Sequence, residues 1–401
     1  MRVLFINETC GQGSHGKICI EIAKKFMSEG HGCRIAYGRE NVSDEYRDIA
    51  IRIGGSVSIY SHVLITRLFD AHGLGSVVAT KAFLKWADTY DPDMLWLHNI
   101  HGYYVNYELL FQWIKARPGM EVRWTLHDEW AMTGHCGCFG MAQCEKWKTH
   151  CEHCIQKHEY PKSSGLDRSY ANFERKRRAF TGVANLRLTT PSQWLADLTR
   201  ESYLKEYPVE VVYNRIDPTV FCPTESSFRK DHGLENKKVL LCVANVWQDC
   251  KGLRDVLLLQ EMLDDNYAIV IVGVTEQQKE QLSTTKGKRK YLGDVKIPER
   301  KAAYSEVLRK KNGVVIHQNV QDLYTAVTGE QFINAPASFA DLLLITRTKN
   351  MQELAALYTM ADLFINPTRE DNYPTVNLEA QACGTFVITY DTGGCKETIQ
   401  E

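Results

Sequence analysis

Short apolar runs that alternate with helical patterns constrain the fold of this chain more than any other feature. Clear examples lie at residues 1–7, 93–97, 122–126, 238–244 and 362–367. Each run has the length and composition of a buried strand and leads into a polar or glycine-containing turn. Strands that alternate with helices form parallel sheets covered by helices on both faces. The sequence therefore predicts an α/β protein, with ligands bound at the carboxyl ends of its strands.

The composition narrows the class of protein. At 401 residues the chain can form two domains, and the formal net charge of −1 gives no electrostatic reason to expect a nucleic-acid partner. The sequence contains no apolar stretch near the roughly 20 residues of a spanning helix, and the start shows no secretory signal. Thirteen cysteines without such a signal favour a reducing compartment. We expect a cytoplasmic protein.

An acidic turn between a strand and a helix carries the most functional information. The strand at 362–367 leads to Glu370 and Asp371, and a helical pattern begins after Pro374 with Glu379 one turn in. Carboxylates at the end of a parallel strand can accept hydrogen bonds from sugar and ribose hydroxyls. The plainer interpretation is an ordinary acidic helix start.

A glycine-rich turn follows the first strand. Gly11, Gly13 and Gly16 form a G-x-G-x-x-G match that opens a helix, a pattern typical of phosphate binding. A nicotinamide-dependent oxidoreductase would use the same turn, with an acid at the tip of the second strand. That strand, at 33–37, is followed by glycine and Arg39 instead. A simple tight turn is the third interpretation.

Histidines follow two further strands. His98 and His101 come after the strand at 93–97, and His127 and Asp128 come after the strand at 122–126. Because carboxyl ends of parallel strands share one edge of a sheet, these side chains are candidates for a ligand site. Buried histidines with a purely structural role are the alternative.

A cysteine cluster lies at 135–154. Cys136, Cys144, Cys151 and Cys154 could hold one tetrahedral zinc ion, which would be structural because four sulfur ligands leave no open position. Reduced thiols or a redox-labile pair explain the cluster equally well. Further on, the basic stretch at 173–180 could contact an anionic membrane surface or a lipid phosphate, or it could be a solvated helix face.

The acidic turn resembles the donor-site signature of glycosyltransferase family 4, the retaining enzymes of GT-B fold, although Asn372 replaces the usual glycine. Residues 126–154 resemble a branch of that family associated with colanic-acid-type exopolysaccharide synthesis. The resemblance implies that Glu370 or Asp371 holds the transferred sugar, that Glu379 holds the nucleotide ribose, and that His127 lies close to the donor sugar. It also implies that Lys251 meets the donor diphosphate, where Cys250 replaces the arginine of close relatives.

The resemblance further implies the domain layout. We expect two Rossmann-like domains facing a cleft, an acceptor-side domain at 1–222 and a nucleotide-sugar-binding domain at 223–401, divided near Pro223. Residues from about 283 to about 344 would be an insertion. GT-B enzymes normally continue beyond the strand at 385–390, so we expect a truncated C-terminal end.

The resulting hypothesis is a hexosyltransferase that moves a sugar from a nucleotide-diphosphate donor to a saccharide or lipid-linked saccharide. It would act without a catalytic cofactor, at the inner face of a membrane. A decayed, non-catalytic scaffold and the oxidoreductase remain alternatives. The predicted site residues are catalytic Glu370, Asp371 and His127, donor-binding Gly13, Lys251, Asn372, Tyr373, Pro374, Thr375 and Glu379, and acceptor-side His98, His101 and Asp128.

Overall fold

The computed structural model describes residues 1–284, 291 and 306–401. The chain divides into two compact units, Met1–Tyr213 and Asn214–Glu401. The basic run that the sequence shows at 286–290, and most of the first half of the expected insertion, lie outside the described residues.

The first unit is built on one fully parallel sheet. Its strands run in the order β3-β2-β1-β4-β5-β6-β7, with β1 at Arg2–Asn7 paired to both β2 and β4. The strands are β1 (Arg2–Asn7), β2 (Gly32–Tyr37), β3 (Ala50–Arg52), β4 (Met94–Leu97), β5 (Glu121–Thr125), β6 (Leu186–Thr190) and β7 (Val209–Val211). The helices are α1 (Gly13–Ser28), α2 (Ser56–Phe69), α3 (Val77–Tyr90), α4 (Tyr107–Lys115), α5 (Ser169–Phe180) and α6 (Gln193–Glu201).

The central strand of this sheet is apolar on both faces, so the sheet lies in the interior of the unit. Val3, Leu4, Phe5 and Ile6 are all fully buried, as expected for a central parallel strand covered by helices on both sides. Helix α4 adds apolar side chains to the core of this unit, and its Phe111 contacts Trp124 of β5 with ring centroids 5.4 Å apart. The Asn106 side chain caps the start of the helix by accepting a hydrogen bond from the Leu109 amide at 3.0 Å.

The second unit is also built on a seven-stranded sheet, but one edge strand of that sheet is antiparallel. Its sheet has the order β10-β11-β14-β13-β8-β9-β12, parallel throughout except for the antiparallel β10–β11 pair. The strands are β8 (Lys238–Val243), β9 (Tyr267–Val272), β10 (Glu306–Lys310), β11 (Gly313–Ile316), β12 (Asp341–Ile345), β13 (Leu363–Asn366) and β14 (Phe386–Tyr390). The helices are α7 (Phe228–Asp231), α8 (Leu253–Met262), α9 (Glu276–Thr284), α10 (Val320–Thr328), α11 (Met351–Met360) and α12 (Thr375–Ala382).

The division between the units falls earlier than the sequence suggested. It lies between Tyr213 and Asn214 rather than near Pro223, because the connecting residues pack with the second unit. Phe221 is buried there, in ring contact with Tyr358 at 6.3 Å.

The described part of the expected insertion contributes to the second sheet. Strand β11 is fully buried and pairs in parallel with β14, and β12 pairs in parallel with β9. Helix α10 is capped by Asn319, whose side chain accepts a hydrogen bond from the Asp322 amide. Residues 306–344 therefore help to complete the sheet.

Candidate functional site

The turns after three adjacent strands meet at the carboxyl edge of the second sheet. Strands β8, β13 and β14 are neighbours, so the turns that follow them converge. The Arg369 amide donates to the Cys250 carbonyl at 2.7 Å, and the Gly394 amide donates to the Asp371 carbonyl at 3.2 Å. A Cβ atom on Gly252, whose φ is +74°, would lie 2.1 Å from the Pro367 carbonyl oxygen. Only glycine allows this close approach of the two turns.

A lysine and an aspartate form the centre of this edge. Lys251 closes a short 3₁₀ turn, Asp249–Lys251, just before the start of α8, and its Nζ lies 2.6 Å from Asp371 Oδ2. Burial opposes the charge on Lys251, but the carboxylate outweighs it and raises the pKa of Lys251 to about 12. The lysine is therefore a permanent cation at a helix N-terminus, a position suited to phosphate.

Arg369 supplies a second cation that the sequence analysis did not assign. Its Nη2 donates to both carboxylate oxygens of Asp255, each at 2.8 Å, and Asp255 also accepts from the Tyr390 hydroxyl at 3.0 Å. Asp255 lies in the first turn of α8. The guanidinium is therefore held near the start of the helix that follows Cys250. Two signals could have identified it: its place directly before Glu370, and the missing arginine at position 250.

The other acidic residues have separate partners. Glu379 lies in α12 and its Oε2 accepts a hydrogen bond from the Tyr358 hydroxyl at 2.9 Å. Burial, reinforced by the Glu379 charge, raises the pKa of Tyr358, so the phenol remains a donor. Glu370 is partly buried in the turn, where its carbonyl accepts from the Thr368 hydroxyl at 3.1 Å. The remaining predicted residues line the same turn: Tyr373 and Pro374 are buried, and Asn372 and Thr375 are partly buried.

Two histidines form a neutral pair in the first unit. His98 Nδ1 lies 3.0 Å from His127 Nε2, at the carboxyl ends of β4 and β5. Burial, together with the nearby His15, lowers the pKa of His98 to about 3, and burial with three neighbouring histidines holds the pKa of His127 well below its ordinary value. His15, which the sequence analysis did not select, contacts His127 with the two rings tilted by 39° and their centroids 4.3 Å apart.

The other two predicted residues of this edge form a hydrogen-bonded pair. His101 Nε2 lies 2.7 Å from Asp128 Oδ2, and His101 Nδ1 lies 3.1 Å from the Tyr160 hydroxyl. Burial works against the charge on both groups, yet their interaction raises the pKa of His101 and lowers that of Asp128. Both shifts favour the charged forms of the pair, an imidazolium and a carboxylate.

The same edge holds an ion pair that the sequence analysis also missed. Glu8 follows β1, Arg39 follows β2, and their side chains meet at 3.0 Å. The rule that selected His98 and Asp128, a polar side chain just after a strand, would have found both. No local signal predicts the contribution of Tyr160, because it comes from a distant loop.

The glycine-rich turn has two distinct parts. Gly13, with φ of +65°, starts α1, and a Cβ atom there would meet nothing within 4 Å. Gly16 is closely packed, since a Cβ atom there would lie 2.6 Å from Thr9 Oγ1. The geometry is consistent with a phosphate at Gly13 and with a simple tight turn, so the role of Gly13 stays a prediction.

The cysteine cluster does not gather as four ligands. Cys136 and Cys151 are buried in the core, and the Cys136 thiol donates to the Cys154 sulfur. Among the described residues, no three of the four sulfur atoms of Cys136, Cys144, Cys151 and Cys154 lie within 4.8 Å of one another. Zinc binding by this cluster stays a prediction.

Helix α5 buries the aromatic residues at both ends of its basic stretch. Its aromatic residues Phe173 and Phe180 are buried in the core, together with Lys176. Arg175 pairs with Glu108 at 2.9 Å, and Arg177 pairs with Glu174 at 3.0 Å. The aromatic side chains of the stretch at 173–180 are therefore unavailable to lipid, and membrane contact by this stretch stays a prediction. Over the described residues, none of the helices has both the length and the apolar character needed to span a bilayer.

Comparison with known proteins agrees with the site in the second unit. The family model "Glycosyl transferases group 1" matches residues 339–401, which include the acidic turn and Glu379. A relative from Escherichia coli K12, "Putative colanic acid biosynthesis glycosyl transferase WcaC", is 25% identical over 214 residues, or 51% of this chain and 52% of the relative. The match thus spans about half the length of that relative. Together these matches support a role in glycosyl transfer.

Solved structures match the fold over the whole chain. Sucrose-phosphate synthase from Thermosynechococcus elongatus has a TM-score of 0.61 at 11% identity, covering 100% of this chain and 83% of the other. Anabaena HepE in complex with UDP has a TM-score of 0.56 at 13% identity, covering 100% and 84%. The predicted fold class is confirmed: the chain has the two-domain, parallel-sheet α/β fold of GT-B glycosyltransferases.

Proposed function

We propose that this protein is a retaining glycosyltransferase of family 4. It would move a hexose from a nucleotide-diphosphate donor to a saccharide or lipid-linked saccharide, in exopolysaccharide or cell-surface glycan synthesis. The observation that carries the proposal is the cation Lys251 beside the acidic turn at Asp371, within a unit whose residues 339–401 match the glycosyl transferase family model.

In this proposal the second unit binds the donor by exchange of ionic partners. The donor diphosphate takes the place of the Asp371 carboxylate beside Lys251. The released Asp371 carboxylate then accepts hydrogen bonds from hydroxyl groups of the sugar. When the bond from the anomeric carbon to the diphosphate breaks, the leaving oxygen gains charge. Lys251 and the N-terminus of α8 stabilise that charge without a metal ion. The Glu379 carboxylate, which Tyr358 orients, accepts hydrogen bonds from the ribose hydroxyls of the donor.

The first unit would bind uncharged groups. The neutral pair His98 and His127 can both donate hydrogen bonds to sugar hydroxyls and accept hydrogen bonds from them, which suits contact with a sugar. The carboxylate of Asp128, which His101 orients, can accept a hydrogen bond from the reacting hydroxyl group of the acceptor substrate. HepE has been solved with UDP. We infer a nucleoside diphosphate leaving group for this chain as well.

A transfer assay with a matched pair of variants tests the proposal. The purified chain is incubated with UDP- and GDP-hexoses and a saccharide acceptor, and the release of nucleoside diphosphate is measured. Glu379→Gln keeps an acceptor for the Tyr358 hydroxyl but removes the charge, so we expect at least about a tenfold loss of turnover with an unchanged Tm. The control Glu330→Gln alters an exposed carboxylate of the same unit and should change nothing.

The two ways to fail are distinct. If Glu379→Gln releases nucleoside diphosphate as fast as the wild type does, the role assigned to Glu379 is refuted. A wild type that consumes none of the donors would favour the non-catalytic scaffold.

A further inference from the structure

Helix α2 exposes a stripe of apolar side chains to solvent, while its two fully buried residues, His62 and Thr66, are polar. Val57, Tyr60, Leu64 and Leu68 recur at intervals of three and four residues, so they lie on one face of the helix. Their exposed fractions are 84%, 74%, 57% and 47%. His62 is buried on the other side, where its Nε2 accepts from the Gly73 amide at 3.0 Å. A surface helix of a globular protein usually turns such an apolar stripe toward the core.

Neighbouring elements extend the apolar surface at both ends of the helix. The Ser58 hydroxyl donates to the Ser76 hydroxyl at 3.1 Å, which places the start of α3, with the exposed Val78, beside the first turn of α2. At the other end, the amide of the exposed Leu166 donates to the Leu68 carbonyl at 3.2 Å. We call the surface formed by Val57, Tyr60, Leu64, Leu68, Val78 and Leu166 the α2 face.

The exposed charges of the segment that carries most of the α2 face have one sign. Residues 49–87 contain a single acidic residue, Asp70, which is buried and held by His135 at 2.5 Å. The cations of the same segment, Arg52, Arg67, Lys81 and Lys85, are all exposed, and none has an ion-pair partner among the described residues. Arg67 follows Leu64 by one turn, and Lys81 and Lys85 follow Val78 on one side of α3. The basic character is local, because the whole chain has a formal net charge of −1.

We propose that the α2 face docks on an anionic lipid surface. Exposed aliphatic and aromatic side chains enter the boundary between headgroups and acyl chains, while the surrounding cations meet lipid phosphates. A second copy of the chain fits less well, because a twofold contact would bring the same uncompensated cations together. Docking would bring the protein to the lipid surface that holds the lipid-linked acceptor of the proposed function. In that respect it rests on that function, but docking can be measured without any transfer reaction.

Vesicle co-sedimentation of the full chain tests the proposal directly. One set of vesicles is phosphatidylcholine alone, and the other contains phosphatidylcholine and phosphatidylglycerol. We expect binding to the anionic vesicles in low salt, loss of that binding in high salt, and little binding to the zwitterionic set. A wild type that sediments with neither set would overturn the proposal, whatever its transferase activity.

Paired variants identify the surface. Lys81→Glu with Lys85→Glu should weaken binding to anionic vesicles by at least about tenfold. Lys205→Glu with Lys311→Glu reverses two exposed lysines outside the segment and changes the net charge equally, so it should bind nearly as well as wild type. Equal loss in both double variants would show a general charge effect and would contradict the proposal.

The apolar part of the α2 face can be tested against a side chain elsewhere that has the same exposed fraction. Val78→Ser should reduce vesicle binding by about threefold to fivefold, since Val78 would be buried in the lipid boundary. Ile333→Ser alters a side chain that is also 82% exposed and should have no effect. If Val78→Ser left vesicle binding unchanged but dissociated a dimer in sedimentation velocity, the α2 face would be a contact between copies instead.

Discussion

The two units place their candidate functional residues at the same architectural position but equip them with different chemistry. At the carboxyl edge of the second sheet, Lys251 and Arg369 are cations paired with Asp371 and Asp255. At the corresponding edge of the first sheet, the pair His98 and His127 is neutral, and the ionisable groups beside it, His101 with Asp128 and Glu8 with Arg39, are paired with each other. A parallel sheet thus fixes where a ligand binds, and the side chains in the turns determine which ligand.

The difference in charge separates two tasks. Cations that are already held in place by carboxylates can exchange those partners for a diphosphate at little cost in side-chain order. Neutral imidazoles suit hydroxyl groups, which carry no charge to balance. The variants below are ordered by the size of the effect we expect on this division of tasks.

Lys251→Met should cause the largest loss. It removes the cation that would stabilise the leaving diphosphate, so we expect kcat/KM for the donor to fall by about 10²–10³-fold. Steady-state release of nucleoside diphosphate measures the effect. Lys349→Met, at an exposed lysine of the same unit, serves as the control and should retain wild-type kinetics. Unchanged kinetics in Lys251→Met would remove the assigned role of the second unit.

Arg369→Gln should cause a smaller loss of donor affinity, about threefold to tenfold, because Lys251 remains. It should also lower the Tm, since the buried Asp255 would keep the Tyr390 hydroxyl but lose its charged partner. Calorimetric titration with the nucleoside diphosphate and a thermal melt separate the two effects. A lower Tm with unchanged affinity would show that Arg369 only supports the fold.

The histidines of the first unit should differ in protonation without any mutation. His101, beside Asp128, should titrate above the ordinary histidine pKa, whereas His127 should stay neutral well below it. The raised pKa of His101 stabilises the folded state fully below the ordinary value, and that contribution is lost as the pH rises through the raised pKa. Histidine ring NMR across this range measures both. A His101 that titrates together with or below His127 would contradict the assigned charges.

Much of the fold and part of the site could be predicted from the sequence, for identifiable reasons. Apolar runs such as 1–7 and 238–244 formed the predicted strands because a buried parallel strand needs apolar residues on both faces. His98, His101, His127 and Asp128 came together because they follow adjacent strands. Residue type and position in the chain were sufficient in both cases.

The rest depends on contacts between distant residues. Tyr160 reaches His101 across 59 positions of sequence, and Asp255 reaches Arg369 across 114. The burial of Phe173 and Phe180 depends on what α5 packs against, and the basic composition of that helix conceals it. The exposed stripe on α2 was hidden for the opposite reason, because its apolar pattern suggests a core helix until the structure shows which side faces solvent.

Binding of nucleotides to the unmodified protein tests the central claim most directly, which is that the edge containing Lys251 and the acidic turn binds a nucleoside diphosphate. The chain is titrated with UDP, GDP and NAD, and Tm is followed. We expect UDP or GDP to raise the Tm, by an amount equivalent to about 2.7 kcal/mol at a concentration one hundred times the Kd, and NAD to leave it unchanged. Stabilisation by NAD with no response to either diphosphate would contradict the account and favour the oxidoreductase.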